Sequence, residues 1–452
     1  MVPRPRRAGV VVGLLAVLVV LVVAVAVLAL RTAGAADVAT PGAPSGGGSG
    51  TVDGTGSPGA TPSATAPTPA PAPAPEPVPE PDATVTIVAA GDVLPHEPVL
   101  ASATAPDGTV DFSPLLAPLD PWVRGADLAL CHLEVPVAPP GVAPTGYPLF
   151  GAPAALVGDL AQAGWDGCST ASNHAVDRGA AGVTATLDAL DAAGLGHVGT
   201  ARSAAEAALP QLYRVEDAGR TITVAHLAAT YGTNGMPVAA PWSVDRIDVP
   251  ALVAAAGAAR AGGADLVVVS LHCCVEYRTE PAPEQRAAAR ELAGSGVVDL
   301  VLGHHAHVPQ PVERLPGGVD GTGMWVAYGL GNLVSNQDAE CCVPETSSGL
   351  LLTATVRATG ADPATGTPAG PPRVVGVTWT GVTVDRHGGH RVHALADLTA
   401  GTPTLPVPEV QDRRARVAAA VGTTAPEATS PPDPFADGTR ARVEAVPRPA
   451  AP

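Results

Sequence analysis

The chain has 452 residues, a formal net charge of −17 and only 3% aromatic residues, and all 25 of its basic residues are arginine. The acidic balance argues against nucleic acid as a partner, because binding a phosphate backbone needs a basic face. The lack of lysine excludes a Schiff-base or Walker-type lysine, and the scarcity of aromatics means that a core must be built from Val, Leu and Ala.

Three arginines in "MVPRPRR" precede 23 uncharged residues, Ala8 to Leu30, and Arg31 follows. As a helix this segment would be about 34 Å long, enough to cross a bilayer core of about 30 Å. The flanking arginines predict the N-terminus inside and the remainder outside. Residues 1–36 therefore read as a single-pass anchor in the cytoplasmic membrane. The alternative is a signal segment cleaved near "AGA" at Ala33–Ala35, giving a secreted protein. Residues 37–83 read as a linker, Gly/Ser-rich and flexible at first, then extended polyproline in "PTPAPAPAPEPVPEPD". A working domain over 84–397 follows, and residues 398–452 read as a Pro-rich tail with a short helix at "EVQDRRARVAAAVG".

Within the domain, apolar β-branched runs alternate with helical patterns. The runs are "TVTIVAAGD" (84–92), "ADLALCHLE" (126–134), "WDGCSTASNH" (165–174), "RTITVAHLAAT" (220–230), "ADLVVVSLH" (264–272), "VVDLVLGHH" (297–305) and "MWVAYGLGN" (324–332). Helical patterns include "AALVGDLAQAG", "GVTATLDALDAAG", "VPALVAAAGAARAGG" and "PEQRAAARELAGSG". This alternation predicts an α/β layered fold. Residues 349–357 and 373–395 read as strands without intervening helices, so part of the sheet structure is expected to be antiparallel.

Sites in such folds form at the C-terminal ends of strands. There the sequence places Asp92, Glu134, Asn173 with His174, His272, and His305 with His307. Each alone reads as a turn or cap residue, but together they are a mixed oxygen and nitrogen ligand set. Without thiolates, and too nitrogen-rich for calcium, the set suits Mn, Fe or Zn. Its size suits two divalent ions bridged by a carboxylate, about 3.5–4 Å apart.

The order of these blocks resembles the calcineurin-like metallophosphoesterase fold, with mixed β-sheets flanked by helices. The chain is more closely similar to the CapA family of poly-gamma-glutamate capsule-synthesis proteins. The likeness rests on "VAAGDVL", "DLALCHLEVPV", "STASNHAVDRGAAGVTATLDALDAAGLGHVGTA", "LHCCVEYRTEP", "DLVLGHHAHVPQPVE" and "VAYGLGNLV", and covers about 84–357. It implies that Glu134 bridges two ions, that Asp92 and His307 complete one, and that Asn173, His272 and His305 complete the other. It also implies that His174 stands beside the reacting group as a catalytic residue. Glu276 and Asn332 are candidates for orienting ligands or contacting substrate. His304 replaces the glycine usual in the wider fold and is expected to be a neighbour of the ligands.

Three departures stand out. His96 lies four residues after Asp92, where the phosphoesterases often have Asp-x-His. His132 stands where the family usually has asparagine, and is a candidate extra ligand or substrate contact. Cys273-Cys274 follows His272 where Trp-Gly is usual. With an expected extracellular location, six cysteines favour disulfides. The expectation is that Cys273–Cys274 and Cys341–Cys342 bridge each other across the site rim, and that Cys131 and Cys168 form a third bridge or remain buried thiols.

Three functions fit these residues. One is a surface-anchored metalloprotein of poly-gamma-glutamate or related envelope-polymer synthesis, whose partners would be an anionic polymer and other capsule-synthesis membrane proteins. Another is an extracellular metal-dependent phosphoesterase. The third is a non-catalytic polymer-binding protein, which an intact ligand set disfavours.

Overall fold

The computed structural model describes residues 79–433 and 441–449. The expected membrane segment and nearly all of the linker lie outside the described residues, and no described helix is long and apolar enough to cross a membrane.

The strands are β1 (Ala83–Val93), β2 (Leu128–Leu133), β3 (Gly167–Ser169), β4 (Gly196–Val198), β5 (Gln211–Asp217), β6 (Arg220–Thr230), β7 (Leu266–His272), β8 (Leu300–His304), β9 (Val312–Leu315), β10 (Met324–Ala327), β11 (Asn332–Val334), β12 (Ser348–Ala358), β13 (Arg373–Asp385), β14 (Arg391–Ala394) and β15 (Arg442–Val446). The longer helices are α1 (Ala155–Ala163), α2 (Gly179–Ala192), α3 (Val249–Ala261), α4 (Pro283–Gly294) and α5 (Val407–Val421). One sheet runs β14-β13-β12-β1-β2-β3-β4, with β11 paired to β1, and the other runs β15-β5-β6-β7-β8-β10-β9. Both are mixed: β1 is parallel to β2 but antiparallel to β12, and β6 is parallel to β7 but antiparallel to β5.

The two-residue period of a strand sorts its side chains into layers. In β1, Ile87 and Ala89 face a core shared with Leu266 and Val268 of β7 and Leu300 and Leu302 of β8, whereas Val88 and Ala90 join Leu156 and Leu160 of α1 and Leu187 of α2. Val267, Val269 and Val301 point the other way, onto Leu252 of α3 and Leu292 of α4. The order is therefore helix, sheet, sheet, helix. With both faces covered, the central strands read as continuous apolar runs.

The stretch from 398, read from composition as a tail, also contributes to this fold. Helix α5 places Val410, Val417 and Val421 in the core between the sheets, and β15 pairs antiparallel with β5. Its prolines conceal the helix, yet Pro408 occupies the first turn, where a missing N–H breaks no helical bond.

Candidate metal centre

The parallel strands of both sheets end at one place. Asp92 lies at the end of β1, Glu134 just past β2, Asn173 and His174 beyond β3, His272 at the end of β7, and His305 and His307 just past β8. The glycines preceding two of these blocks have a steric reason. A Cβ on Gly91 would overlap the Gly331 carbonyl, and one on Gly303 would overlap the Tyr328 carbonyl, so only glycine lets these backbones pass. After Gly303 the chain turns sharply: His305 and His307 both hold positive φ, 82° and 57°, a conformation costing a bulky residue about 1–2 kcal/mol. The turn is fastened by the His305 amide, which donates to Asp92 Oδ2 at 3.1 Å, and by the Tyr277 amide, which donates to the Ala306 carbonyl at 2.8 Å.

The six expected ligands converge in a buried cluster. Asp92, Glu134 and His307 offer atoms within 4.8 Å of one another, as do Glu134, His272 and His305. Glu134 is common to both groups. Its Oε1 lies 3.8 Å from His272 Nε2 and 3.8 Å from His307 Nε2. Asn173 Oδ1 is 2.8 Å from His272 Nε2, beside the second group. Asp92 Oδ1, both carboxylate oxygens of Glu134 and His305 Nδ1 are buried with no hydrogen-bond partner among the described residues. Buried polar atoms are seldom left unpaired, and a carboxylate without a partner is costly. Divalent cations would satisfy these atoms together, so the residues present fit metal binding.

The electrostatics agree. Burial pushes the Glu134 carboxyl up to about 8, against the pull of His307. Burial alone would push His307 down, but Glu134 and Asp92 more than reverse it and hold the imidazole at about 9. Burial would likewise raise Asp92, but His304 and His307 keep it well below the usual carboxylate range. His305 is pushed down to about 3 by burial and by neighbouring His307. The metal-free His307–Glu134 pair therefore retains a proton where cations would stand.

A layer of buried histidines lies beneath the cluster. His132 pairs in register with Asp92 on one side and Ser169 on the other. Its Nδ1 is 2.7 Å from Ser169 Oγ and its Nε2 is 2.9 Å from His272 Nδ1. With one ring nitrogen bonded to a candidate ligand and the other to a serine, His132 is placed to orient His272. The His304 ring stacks on His132 at 4.0 Å, and its Nδ1 lies 3.3 Å from Asp92 Oδ1. His304 is thus more than a neighbour, since Asp92, His132 and His304 form a third group at metal-ligand spacing. His226, on β6, is also fully buried, with Nε2 2.9 Å from Ser270 Oγ. Sequence reading passed over it because it falls in mid-strand rather than at a strand end.

Above the cluster opens a cavity of about 750 Å3. His174 lines it, and His174 Nδ1 is 2.7 Å from Asp177 Oδ2, which leaves Nε2 as the ring atom available to the cavity. Burial would depress this imidazole, but the Asp177 bond and nearby Glu134 hold it above its ordinary value. The Phe150 ring packs edge-on to His174 at 4.8 Å, and its amide donates to Asp177 Oδ2. The spacing His-x-x-Asp in "NHAVD" is the signal by which Asp177 was findable in the sequence. Glu276 lines the cavity and shares ligand spacing with His305 and His307. Asn332 accepts at Oδ1 from the His307 ring at 3.1 Å, while its Nδ2 donates to Gln337 and to the Thr346 carbonyl. It is therefore a fixed support for His307. His96 lines the cavity too, with Nδ1 3.1 Å from the Leu94 carbonyl.

The cysteine expectation needs one correction. Cys131 pairs with Cys168 across β2 and β3, where the two residues stand opposite in register. The two vicinal pairs are not joined to one another: Cys273 pairs with Cys274, and Cys341 with Cys342. Each pair closes on its own loop, so no covalent staple joins the two loops. Cys341 and Cys342 do lie on the cavity wall.

With this geometry, comparison with known proteins gives consistent results. The family model described as "Bacterial capsule synthesis protein PGA_cap" matches residues 86–337, more than half of the chain. The chain is 30% identical over 179 residues to "Capsule biosynthesis protein CapA" of Bacillus anthracis, a match covering 39% of this chain and 41% of that protein. It is 32% identical over 179 residues to "PGA biosynthesis protein CapA" of Bacillus subtilis (strain 168), covering 37% and 42%. The match thus spans about two fifths of the length of these curated relatives. Among solved structures, the calcineurin-like phosphoesterase YfkN of Bacillus subtilis is similar at a TM-score of 0.37 and 12% identity, covering 75% of this chain and 98% of that one. That likeness is remote, and the site is argued from its own residues.

Proposed function

The chain belongs to the PGA_cap family of bacterial capsule synthesis proteins, and on that premise we propose that it is a metal-dependent hydrolase or transferase. It would act in the synthesis of poly-gamma-glutamate or a related envelope polymer, held at the cell surface by its N-terminal segment. One observation carries this reading. Six candidate ligand side chains from both sheets meet around buried carboxylate atoms that lack a hydrogen-bond partner among the described residues, and two of the six, Asn173 and His307, line an open cavity.

Asp92, Glu134 and His307 would hold one divalent ion, and Glu134, Asn173, His272 and His305 a second. Such ions supply charge neutralisation at a phosphoryl or carbonyl oxygen and lower the pKa of water. Asn332 holds the His307 ring in place, and His132 holds His272. His174, aimed by Asp177, keeps a proton at Nε2 for the group that departs, and Phe150 shields the pair from water. In hydrolysis, water oxygen bonds to the phosphorus or carbonyl carbon, the bond to the leaving oxygen or nitrogen breaks, the leaving group takes the His174 proton, and the proton released by the water restores His174.

The cavity wall favours a phosphoester reading over direct action along a poly-glutamate chain. Among the described residues no arginine lines the cavity, so a run of carboxylates would find no opposite charge in that lining. A single anionic group at the floor would face the metal-ligand cluster and His174.

The test is metal analysis of the purified full chain, followed by turnover assays on bis-p-nitrophenyl phosphate and on poly-gamma-glutamate, with His305→Ala as control. Metal-dependent turnover that falls at least 100-fold in the variant supports the proposal. A folded wild-type protein that takes up no divalent metal overturns it.

A further inference from the structure

The exposed apolar residues are not scattered. Among the described residues, the large exposed hydrophobics away from the cavity are Leu209 and Val375. The other six lie on its surrounding loops. Tyr147 and Leu149 line the cavity while 70% and 44% exposed, on the loop that ends in Phe150. Val142 is on that same loop. Tyr231 packs its ring 4.6 Å from His305. Val275 adjoins Glu276, and Val238 lies two residues from cavity-lining Met236. Exposed apolar surface on a cavity wall often marks a binding site, and here Tyr147 and Leu149 stand beside polar lining residues.

The cavity thus has two chemistries. At the floor stand Asn173, His174, Glu276 and His307, beside the candidate metal cluster. Leu94, Pro148, Leu149, Phe150 and Met236 also line it, with Tyr147 exposed beside them, alongside further polar groups such as Asn234 and Tyr277. A ligand matching both parts has a small anionic head and an apolar tail. A polyanionic segment would leave the apolar wall unused and meet no arginine among the described lining residues for its further charges.

We propose that the substrate is an amphiphile: a phosphate ester whose head reaches the metal cluster and whose alkyl or isoprenoid chain lies against the Tyr147–Phe150 wall. This rests on the metal-dependent reading above and narrows its substrate class. It also fits the expected anchor, since a domain tethered to a membrane works where lipid-linked intermediates reside.

The experiment uses the full chain, loaded with manganese and kept soluble in amphipol. Calorimetry measures binding of butylphosphonate and of dodecylphosphonate below its aggregation concentration. Each methylene removed from water contributes about fourfold in affinity, so burying only a few makes the dodecyl compound at least tenfold tighter. In the double variant Tyr147→Ser, Leu149→Ser this ratio falls below about threefold, whereas Val375→Ser, exposed elsewhere, keeps it. Nonspecific partition into amphipol is common to all three proteins and cancels in the comparison. If butylphosphonate binds and the dodecyl compound binds no tighter, this inference is overturned while the metal reading stands. A ratio that survives the double variant also overturns it. If neither phosphonate binds, the metal-dependent phosphoester reading fails and this inference falls with it. Comparing dodecyl with farnesyl phosphonate then separates a straight-chain from an isoprenoid source.

Discussion

His132 Nε2 lies 2.9 Å from His272 Nδ1, and the opposite nitrogen of His132 lies 2.7 Å from Ser169 Oγ. A candidate ligand is thus held by a second imidazole, itself held by the neighbouring strand. The nitrogen of a metal-binding histidine that does not face the metal usually bonds a carboxylate, carbonyl or water, and that partner fixes the ring's orientation. Here a histidine takes the role, at a position where the CapA-type pattern has asparagine. His132→Ala is expected to weaken metal binding about 10- to 100-fold, with His132→Asn recovering part of the loss. Competition against a fluorescent chelator checks this without relying on turnover.

Metal uptake should release protons. His307, held at about 9 by Glu134 and Asp92, and Glu134, pushed up to about 8 by burial, together retain a proton at pH 7 in the metal-free protein, and the pair must lose it to bind a cation. Affinity is therefore expected to rise from pH 6.5 to pH 9 and then level off. Calorimetry at pH 7 in buffers of different ionisation enthalpy should show proton release that shrinks toward zero near pH 9.5. Release that is independent of pH would contradict these assignments.

The His174–Asp177 pair predicts a separable catalytic defect. His174→Ala should lower kcat by about 10²- to 10⁴-fold while bound metal stays within twofold of wild type. Asp177→Asn removes the charge that holds the imidazole up, so the alkaline limb of the pH–rate profile should move to lower pH. A purely structural role for Asp177 would lower the rate without moving that limb.

Buried neutral histidines set an acid limit on the metal-free fold. Burial pushes His226 and His305 down to about 3, against about 6.5 in an unfolded chain. A depressed folded pKa gives stability that is fully present above the unfolded value and is lost as pH falls toward the folded one. The melting temperature of the metal-free protein should therefore drop between pH 6.5 and pH 4. His226→Gln, which cannot charge, should flatten that drop.

Much of this was legible in the sequence because strand ends are marked twice, by apolar runs that stop and by polar residues that start. Asp92, Glu134, His272 and His305 stand out for that reason. The layered α/β architecture follows from the same alternation, and the antiparallel side from the run of strands after residue 348. Other features were hidden by physics that a linear reading does not carry. His132 and His226 act sideways, through partners on adjacent strands. Strand β5 alternates because one face, with Tyr213 and Val215, packs into the core between the sheets while the other is less covered, and β15 lies in a Pro-rich stretch whose composition resembles a tail. The disulfide pairing was misjudged because proximity of two loops was inferred from their strand ends, whereas each vicinal pair closes within its own loop.

Anomalous diffraction at the manganese edge, from crystals of the protein grown with manganese, tests whether the strand-end cluster is a metal centre organised around Glu134. Two peaks sharing contact with Glu134 are expected, one beside Asp92 and His307 and the other beside Asn173, His272 and His305. Well-ordered crystals with no peak at Glu134, or with manganese bound only elsewhere, would contradict it.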